Sequence, residues 1–298
     1  MSDTLTEAAE DHALRHWTFR DQSRMKIGSE AHKRMFCHML LETHNPYKPA
    51  VIDWPPLPQD ALKRLTSLPI WDIAVQTEGR ASIRVSTYAA QLDDPLLHEA
   101  IQMDAAEEAR HKHVLSRLVA AYGIQLAPEP DYPAPRDPEW AWMFTGYSEC
   151  IDSFFAFGLF RSAQQSGYFP AELIETFEPV IQEEARHILF FINWVAWYRR
   201  TMPWWRRPWH ALRVGAIWVK LVWDRIAIAK GIDADGVAHD SNFLPANSGT
   251  IGKALSGRQL LELCLAENEQ RMAGYDARLI RPALVPTLAR LALRFMRK

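Results

Sequence analysis

Apolar positions along this chain recur at intervals of three and four. No Val-, Ile- or Thr-rich run alternates with period two for long enough to argue a sheet. That pattern predicts an all-α protein. An amphipathic stretch over roughly 4–44 reads as two helices. Pro46, Pro49, Pro55, Pro56 and Pro58 then hold the chain extended, because each restricts its own φ and the residue before it. A long helix is expected from about Ile70 to Leu92. Asp93-Asp94-Pro95 closes it and opens the next: Asp94 caps the free N–H groups, and Pro95 takes the first helical position, where a missing donor costs nothing. The second helix stops near Gly123, and Pro128 to Pro135 is a linker. Asp137-Pro138 repeats the opening signal for a third helix to about Gly167, and Pro170 opens a fourth that ends before Pro203. The expected organisation is a helical extension over 1–67, a four-helix bundle over 68–202, and a Trp- and Arg-rich helical extension over 203–298 packed on the bundle.

Two of the four helices carry the same pentapeptide. Glu-Glu-Ala-Arg-His stands at 107–111 and again at 183–187. Each copy sets a Glu three residues before a His: Glu108 before His111, and Glu184 before His187. Residues so spaced share one helix face about a turn apart, so a carboxylate and an imidazole can reach the same metal ion. The faces concerned are apolar above and below. Ile101, Asp104, Glu108, His111 and Leu115 align on one helix, and Phe177, Val180, Glu184, His187 and Phe191 on the other. A solvated face of i,i+4 charge pairs would not be flanked in that way.

A binuclear site needs two further carboxylates. On the first helix Trp71, Ala74, Val75, Glu78, Ser82 and Val85 form a stripe in which Glu78 is the acidic member, 30 residues before Glu108. A buried carboxylate without a partner is costly, which argues for a ligand role. The third helix offers Glu149 and Asp152 on one face, 35 and 32 residues before Glu184. Glu149 has the longer reach and is preferred; Asp152 would then lie one turn away, accepting a hydrogen bond or orienting a ligand His. His113 points to another face than His111 and is read, with His210, as structural. His38 and Tyr147 lack a spacing that ties them to the site.

This motif set, over about residues 68–200, resembles the ferritin-like carboxylate-bridged di-iron superfamily, whose oxygen-activating branch includes multicomponent monooxygenases, acyl-carrier desaturases, aminobenzoate N-oxygenases and the ribonucleotide reductase small subunit. The resemblance implies a ferritin-like four-helix bundle in which Glu108 and Glu184 bridge two irons, Glu78 and Glu149 are terminal ligands, and His111 and His187 bind one iron each. It also implies that Glu107 pairs with Arg186 and Glu183 with Arg110, orienting the ligand histidines. Those enzymes commonly have Asp where this chain has Glu107 and Glu183. Two imidazoles and four carboxylates against two divalent ions make a neutral reduced site, and the N/O donor set suits Fe/Fe or Mn/Fe. The implied activity is an oxygen-dependent oxidoreductase, hydroxylating, N-oxygenating or desaturating a hydrophobic organic substrate. An iron-handling or peroxide-scavenging protein, or a helical scaffold without catalysis, are the alternatives. Ala156 and Gly158 among Phe154, Phe155, Phe157 and Phe160 leave room for a substrate, or let helices approach closely. With no flavin or nicotinamide motif, electrons must come from an external reductase, a ferredoxin-like carrier or the substrate.

Composition narrows the setting. A formal net charge of −2 removes the electrostatic reason to invoke nucleic acid. Cys37, Cys150 and Cys264 form no CxxC pair, which excludes a zinc ribbon or a disulfide framework. The polar start reads as no secretory signal, so a cytoplasmic protein is expected. Residues 203–230 gather Trp204, Trp205, Arg206, Arg207 and Trp209 before an apolar stretch interrupted by Arg213, Lys220, Asp224 and Arg225. A spanning helix is not expected there. The segment reads as a bundle cover, a homodimer contact, or a peripheral contact with the inner face of a membrane.

Overall fold

The computed structural model describes residues 14–49, 52–68, 70–229 and 255–296. Residues 4–13 of the expected N-terminal helices and 230–254 of the C-terminal extension lie outside them. Among the described residues the protein is all-α. Its helices are α1 (Glu30–Glu42), α2 (Gln59–Thr66), α3 (Trp71–Ala89), α4 (Pro95–Ala121), α5 (Pro138–Ser166), α6 (Ala171–Glu175), α7 (Glu178–Thr201), α8 (Arg207–Ala229), α9 (Gly257–Ala273) and α10 (Leu284–Phe295).

The punctuation works as its chemistry requires. The Asp94 side chain accepts from the Leu96 and Leu97 N–H groups, and Asp137 accepts from Trp140, with proline inside each opening turn. Gly123 and Gly167, with φ of +67° and +63°, follow α4 and α5 in a left-handed conformation that a Cβ would strain. One expectation needs correction, and one falls largely outside the described residues. Residues 14–15 are helical, and the rest of the earlier helix expected before α1 lies outside the described residues; 16–29 between it and α1 are irregular, held by an Asp21–Ser23 turn and by Gly28 at φ +89°. The fourth helix does not run on from Pro170. It breaks into α6 and α7, because Pro179 lacks the N–H that a continuous helix needs and so restarts one. The short helix α2 lies between the proline-held loop and the first long helix, where the sequence pattern predicts no element.

The four long helices α3, α4, α5 and α7 close a ring through the contacts α3–α4, α4–α7, α7–α5 and α5–α3. The α4–α7 side has the least backbone approach, and α1 packs against both of those helices along it. Two apolar clusters occupy the ends of the ring. One gathers Tyr88, Ile101, Trp142, Phe191 and Trp194, with Tyr88 stacked on Trp142 at 5.7 Å between centroids. The other gathers Leu65, Trp71, Leu118, Phe169 and Ile174. On α3 and α4 Glu78, Glu108 and His111 fall between these clusters, a polar middle between two apolar ends; on α5 and α7 Glu149, Glu184 and His187 lie among members of the first cluster. Truncating a core Trp or Phe costs about 3–5 kcal/mol, which makes the ends rigid supports for that middle. Outside the ring, α8, α9 and α10 all pack on α5.

Candidate metal centre

Glu78 on α3, Glu108 and His111 on α4, and Glu184 on α7 each bring one donor atom to within 4.8 Å of the others. A second group, Asp104 and Glu108 on α4 with His187 on α7, meets the same spacing. Glu108 belongs to both, and the two imidazole rings lie 5.7 Å apart. Within the first group His111 Nδ1 is 3.3 Å from Glu184 Oε1 and 3.6 Å from Glu78 Oε2. Within the second, His187 Nδ1 is 2.9 Å from Glu108 Oε1 and 3.7 Å from Asp104 Oδ1.

The far nitrogens of both rings are engaged crosswise. His111 Nε2–H donates to Glu183 Oε2 at 2.8 Å, and His187 Nε2–H to Glu107 Oε2 at 2.7 Å. Each acceptor is held by the arginine from the opposite motif. Arg186 Nη1 donates to both oxygens of Glu107 at 3.0 Å, and Arg110 Nη2 donates to Glu183 Oε1 at 2.5 Å. This cross-pairing satisfies the outer ring nitrogen and turns Nδ1 toward the centre.

Residues after α1 add partners that spacing did not reveal. His44 meets Glu107 at 2.6 Å, the Tyr47 hydroxyl donates to Glu183 at 3.3 Å, and Thr43 Oγ1 accepts from Arg186 Nε at 2.7 Å. They stand at the end of a helix and in a proline loop, where no periodicity marks them. Asp104 lies on the same face as the expected ligands of α4, i,i+4 from Glu108 and i,i+7 from His111, and that spacing is its sequence signal. Val180 occupies the matching position in the other motif, so the repeat does not extend to it.

Glu149 and Asp152 both line the cavity beside the cluster but belong to neither donor group. Asp152 is committed elsewhere: Arg225 of α8 donates to both its oxygens at 2.8 Å, and Ser148 Oγ donates at 2.9 Å. Burial pushes the Glu149 carboxyl well above its ordinary range, helped by the nearby charges of Glu108, Asp104 and Glu184. His38 pairs with Glu42, and Tyr147 packs on Phe191 and Trp218.

Burial and the crowding of carboxylates around two imidazoles set the electrostatics at the centre. Burial raises Glu108 well above its usual range, with the Glu78 charge adding to it, and burial lifts Asp104 to about 6. Burial opposes charge on both imidazoles, but their carboxylate neighbours outweigh it and hold them well above normal: Glu183, Glu184 and Glu78 for His111, and Asp104, Glu107 and Glu108 for His187. Burial also opposes ionisation of Glu107, yet Arg186, His187 and His44 hold it well below the usual range. Four buried polar atoms here lack a hydrogen-bond partner: Asp104 Oδ1, Glu108 Oε1, His111 Nδ1 and His187 Nδ1. Orphaned donors and acceptors at one point are expensive unless an ion joins them. The buried Glu, Asp and His groups can therefore hold a metal ion.

The cavity of about 150 Å³ beside the cluster is walled by Ala74, Ala81, Val114, Ala156, Phe177 and Val180. A second, wholly apolar cavity of about 170 Å³ shares Ala74, Leu115, Ala156, Phe177 and Ile181 with it and extends to Leu118, Phe169 and Leu173. Ala156 thus opens space. Gly158 does not: a Cβ there would lie 2.3 Å from Cys264 Sγ, so this glycine serves close packing of α9 on α5.

No family model, curated protein or solved structure matches this chain.

Proposed function

We propose that the chain is a ferritin-like four-helix bundle with a binuclear iron site, and that it is an oxygen-dependent oxidoreductase acting on an apolar organic substrate. One observation carries the reading: Glu108 is common to two donor groups whose histidine Nδ1 atoms have no other partner. Glu78, Glu108, His111 and Glu184 would hold one ion. Asp104, Glu108 and His187 would hold the other, with Glu149 facing them. Bound iron would supply the one-electron chemistry with dioxygen that no side chain can; a mixed Mn/Fe pair suits the same donors.

The chain's own residues do the rest. Glu107 and Glu183 accept the Nε2–H protons and so keep each Nδ1 available to metal. Ala74, Leu115, Ala156, Phe177 and Ile181 line both cavities, so an apolar substrate would lie against them beside the cluster. Electrons are assigned to an external reductase or ferredoxin-like carrier.

Anaerobic ferrous titration of metal-free protein tests the reading. Two ions bound per chain are expected, with Glu108→Ala and Glu184→Ala losing the binuclear stoichiometry. Unchanged occupancy in both variants rejects the ligand set. Many irons per chain would instead support iron handling, and none after iron-replete expression would support a scaffold.

A further inference from the structure

The outer side of α8 is as apolar as its inner side. Inward, Ile217 and Leu221 are buried at 0% and 1% exposure, Trp218 packs on Tyr147, and His210 on Tyr198. Outward, Trp209, Leu212, Val219, Val222, Trp223 and Ile226 fall on one helical side. Trp209, Val219 and Trp223 are 71%, 71% and 70% exposed. Just before the helix, Trp204 and Trp205 are exposed at 74% and 63%. A continuous apolar face of this size, with four tryptophans on or beside it, marks an interaction surface.

Charge says what covers it. Arg199 and Arg200 at the end of α7 meet Arg207 around a recess of about 450 Å³, and Arg206 is exposed beside Trp209. The sole carboxylate within 203–229 is Asp224, which is already bonded to Lys220 at 3.0 Å. The surface therefore pairs tryptophans with a cationic corner. α10 repeats the combination, exposing Leu284, Leu288, Leu291 and Phe295 beside Arg290 and Arg294, with no carboxylate in its length. It too packs on α5.

We propose that this side of the molecule seats on an anionic phospholipid bilayer, with α8 lying in the interfacial plane. The tryptophan rings would sit at headgroup depth, the Leu and Val side chains just below, and Arg199, Arg200, Arg206 and Arg207 against lipid phosphates. A second copy of this chain is the poorer match, since it would bring arginines against arginines and offer on α8 only the engaged Asp224. Among the described residues no helix is long and apolar enough to cross a membrane, so the contact is with the surface. The proposal stands independently of the metal reading.

The test is co-sedimentation of the full chain with vesicles of equal parts phosphatidylcholine and phosphatidylglycerol, and with vesicles of phosphatidylcholine alone. Wild-type protein is expected to bind the anionic vesicles, and binding should fall as salt rises. Trp209→Ser combined with Trp223→Ser should weaken it about tenfold or more. Arg206→Gln combined with Arg207→Gln should weaken it by a similar factor, on anionic vesicles only. All four positions are exposed, so unchanged circular dichroism and iron content are expected in both double variants. Absence of wild-type binding, or binding unaltered by the tryptophan variant, overturns the proposal. So does a lipid-free dimer that this variant disperses while the wild type ignores vesicles.

Discussion

Arg186 is 1% exposed and uses its guanidinium in three directions: to both oxygens of Glu107, to Thr43 Oγ1 and to the Leu40 carbonyl. It thereby ties α7 to α4 and to the end of α1. Arg186→Met would leave Glu107 charged, buried and short of its principal partner, a loss of about 3–5 kcal/mol. Lysine would not repair it, because a point donor cannot span a carboxylate and reach two other acceptors. Urea unfolding of metal-free Arg186→Met and Arg186→Lys checks this; a midpoint near wild type for either would refute it. His32 makes a separate prediction. Its ring is fully buried, Nε2–H donates to Asn193 Oδ1 at 3.0 Å, and Nδ1 accepts the Gly28 N–H at 3.2 Å. Burial holds it below its ordinary value despite the Asn193 bond, so the folded state keeps it neutral. The unfolded chain then binds a proton first. Stability from this group is complete above about pH 6.5 and declines as pH falls toward the depressed folded value, by at most about 1.4 kcal/mol per pH unit. His32→Gln should be less stable at neutral pH yet have a shallower acid limb, read as urea midpoints from pH 7 to 5. An unaltered limb would count against the assignment.

At the scale of elements, the contact of α9 on α5 depends on one missing methyl group. A Cβ on Gly158 would meet Cys264 Sγ at 2.3 Å and its Cα and backbone N at 3.0 Å. Gly158→Ala is therefore expected to push α9 outward and cost about 1–3 kcal/mol. Adding Cys264→Ala should recover only part of that, since the backbone contacts remain. Full recovery in denaturant midpoints would show that the sulfur alone sets the spacing. The ring itself is asymmetric in the same physical sense. α3–α4 and α5–α3 pack closely, whereas the α4–α7 side is bridged by the Glu107–Arg186 and Glu183–Arg110 pairs and backed by α1. Close packing there would leave no room for the imidazoles that face each other across it.

At the scale of the molecule, among the described residues carboxylates are gathered at the buried centre. Asp104, Glu108, Glu149 and Glu184 crowd into one buried space with two histidines. A metal ion relieves this repulsion in the folded state alone, so loading should raise thermal stability by about 2.7 kcal/mol at a free-ion concentration a hundredfold above Kd. Protons compete for the same donors, and the gain should shrink as pH falls below neutrality. Differential scanning calorimetry with manganese(II) added anaerobically checks both. No shift in wild-type protein, or an equal shift in Glu108→Ala, would refute ion binding at the shared carboxylate.

Helical period, capping prolines and the repeated Glu-Glu-Ala-Arg-His were enough to identify the long helices and to put Glu78, Glu108, His111, Glu184 and His187 on buried faces at matching depth. Those are local properties: a spacing of three or four fixes which side chains share a face of one helix. They do not fix which face meets which neighbour. Whether Glu149 or Asp152 was free for the centre depended on Arg225, 73 residues beyond Asp152. Asp104 joins a candidate donor group because His187 Nδ1 lies 3.7 Å from it, a partner the repeated motif does not predict. Thr43, His44 and Tyr47 entered from the end of α1 and the loop after it, where no helical spacing ties them to the centre. Period and chemistry were legible in one dimension; the partners of each buried charge required the fold, because burial makes a charge answer to whatever lies within a few ångströms, however distant along the chain.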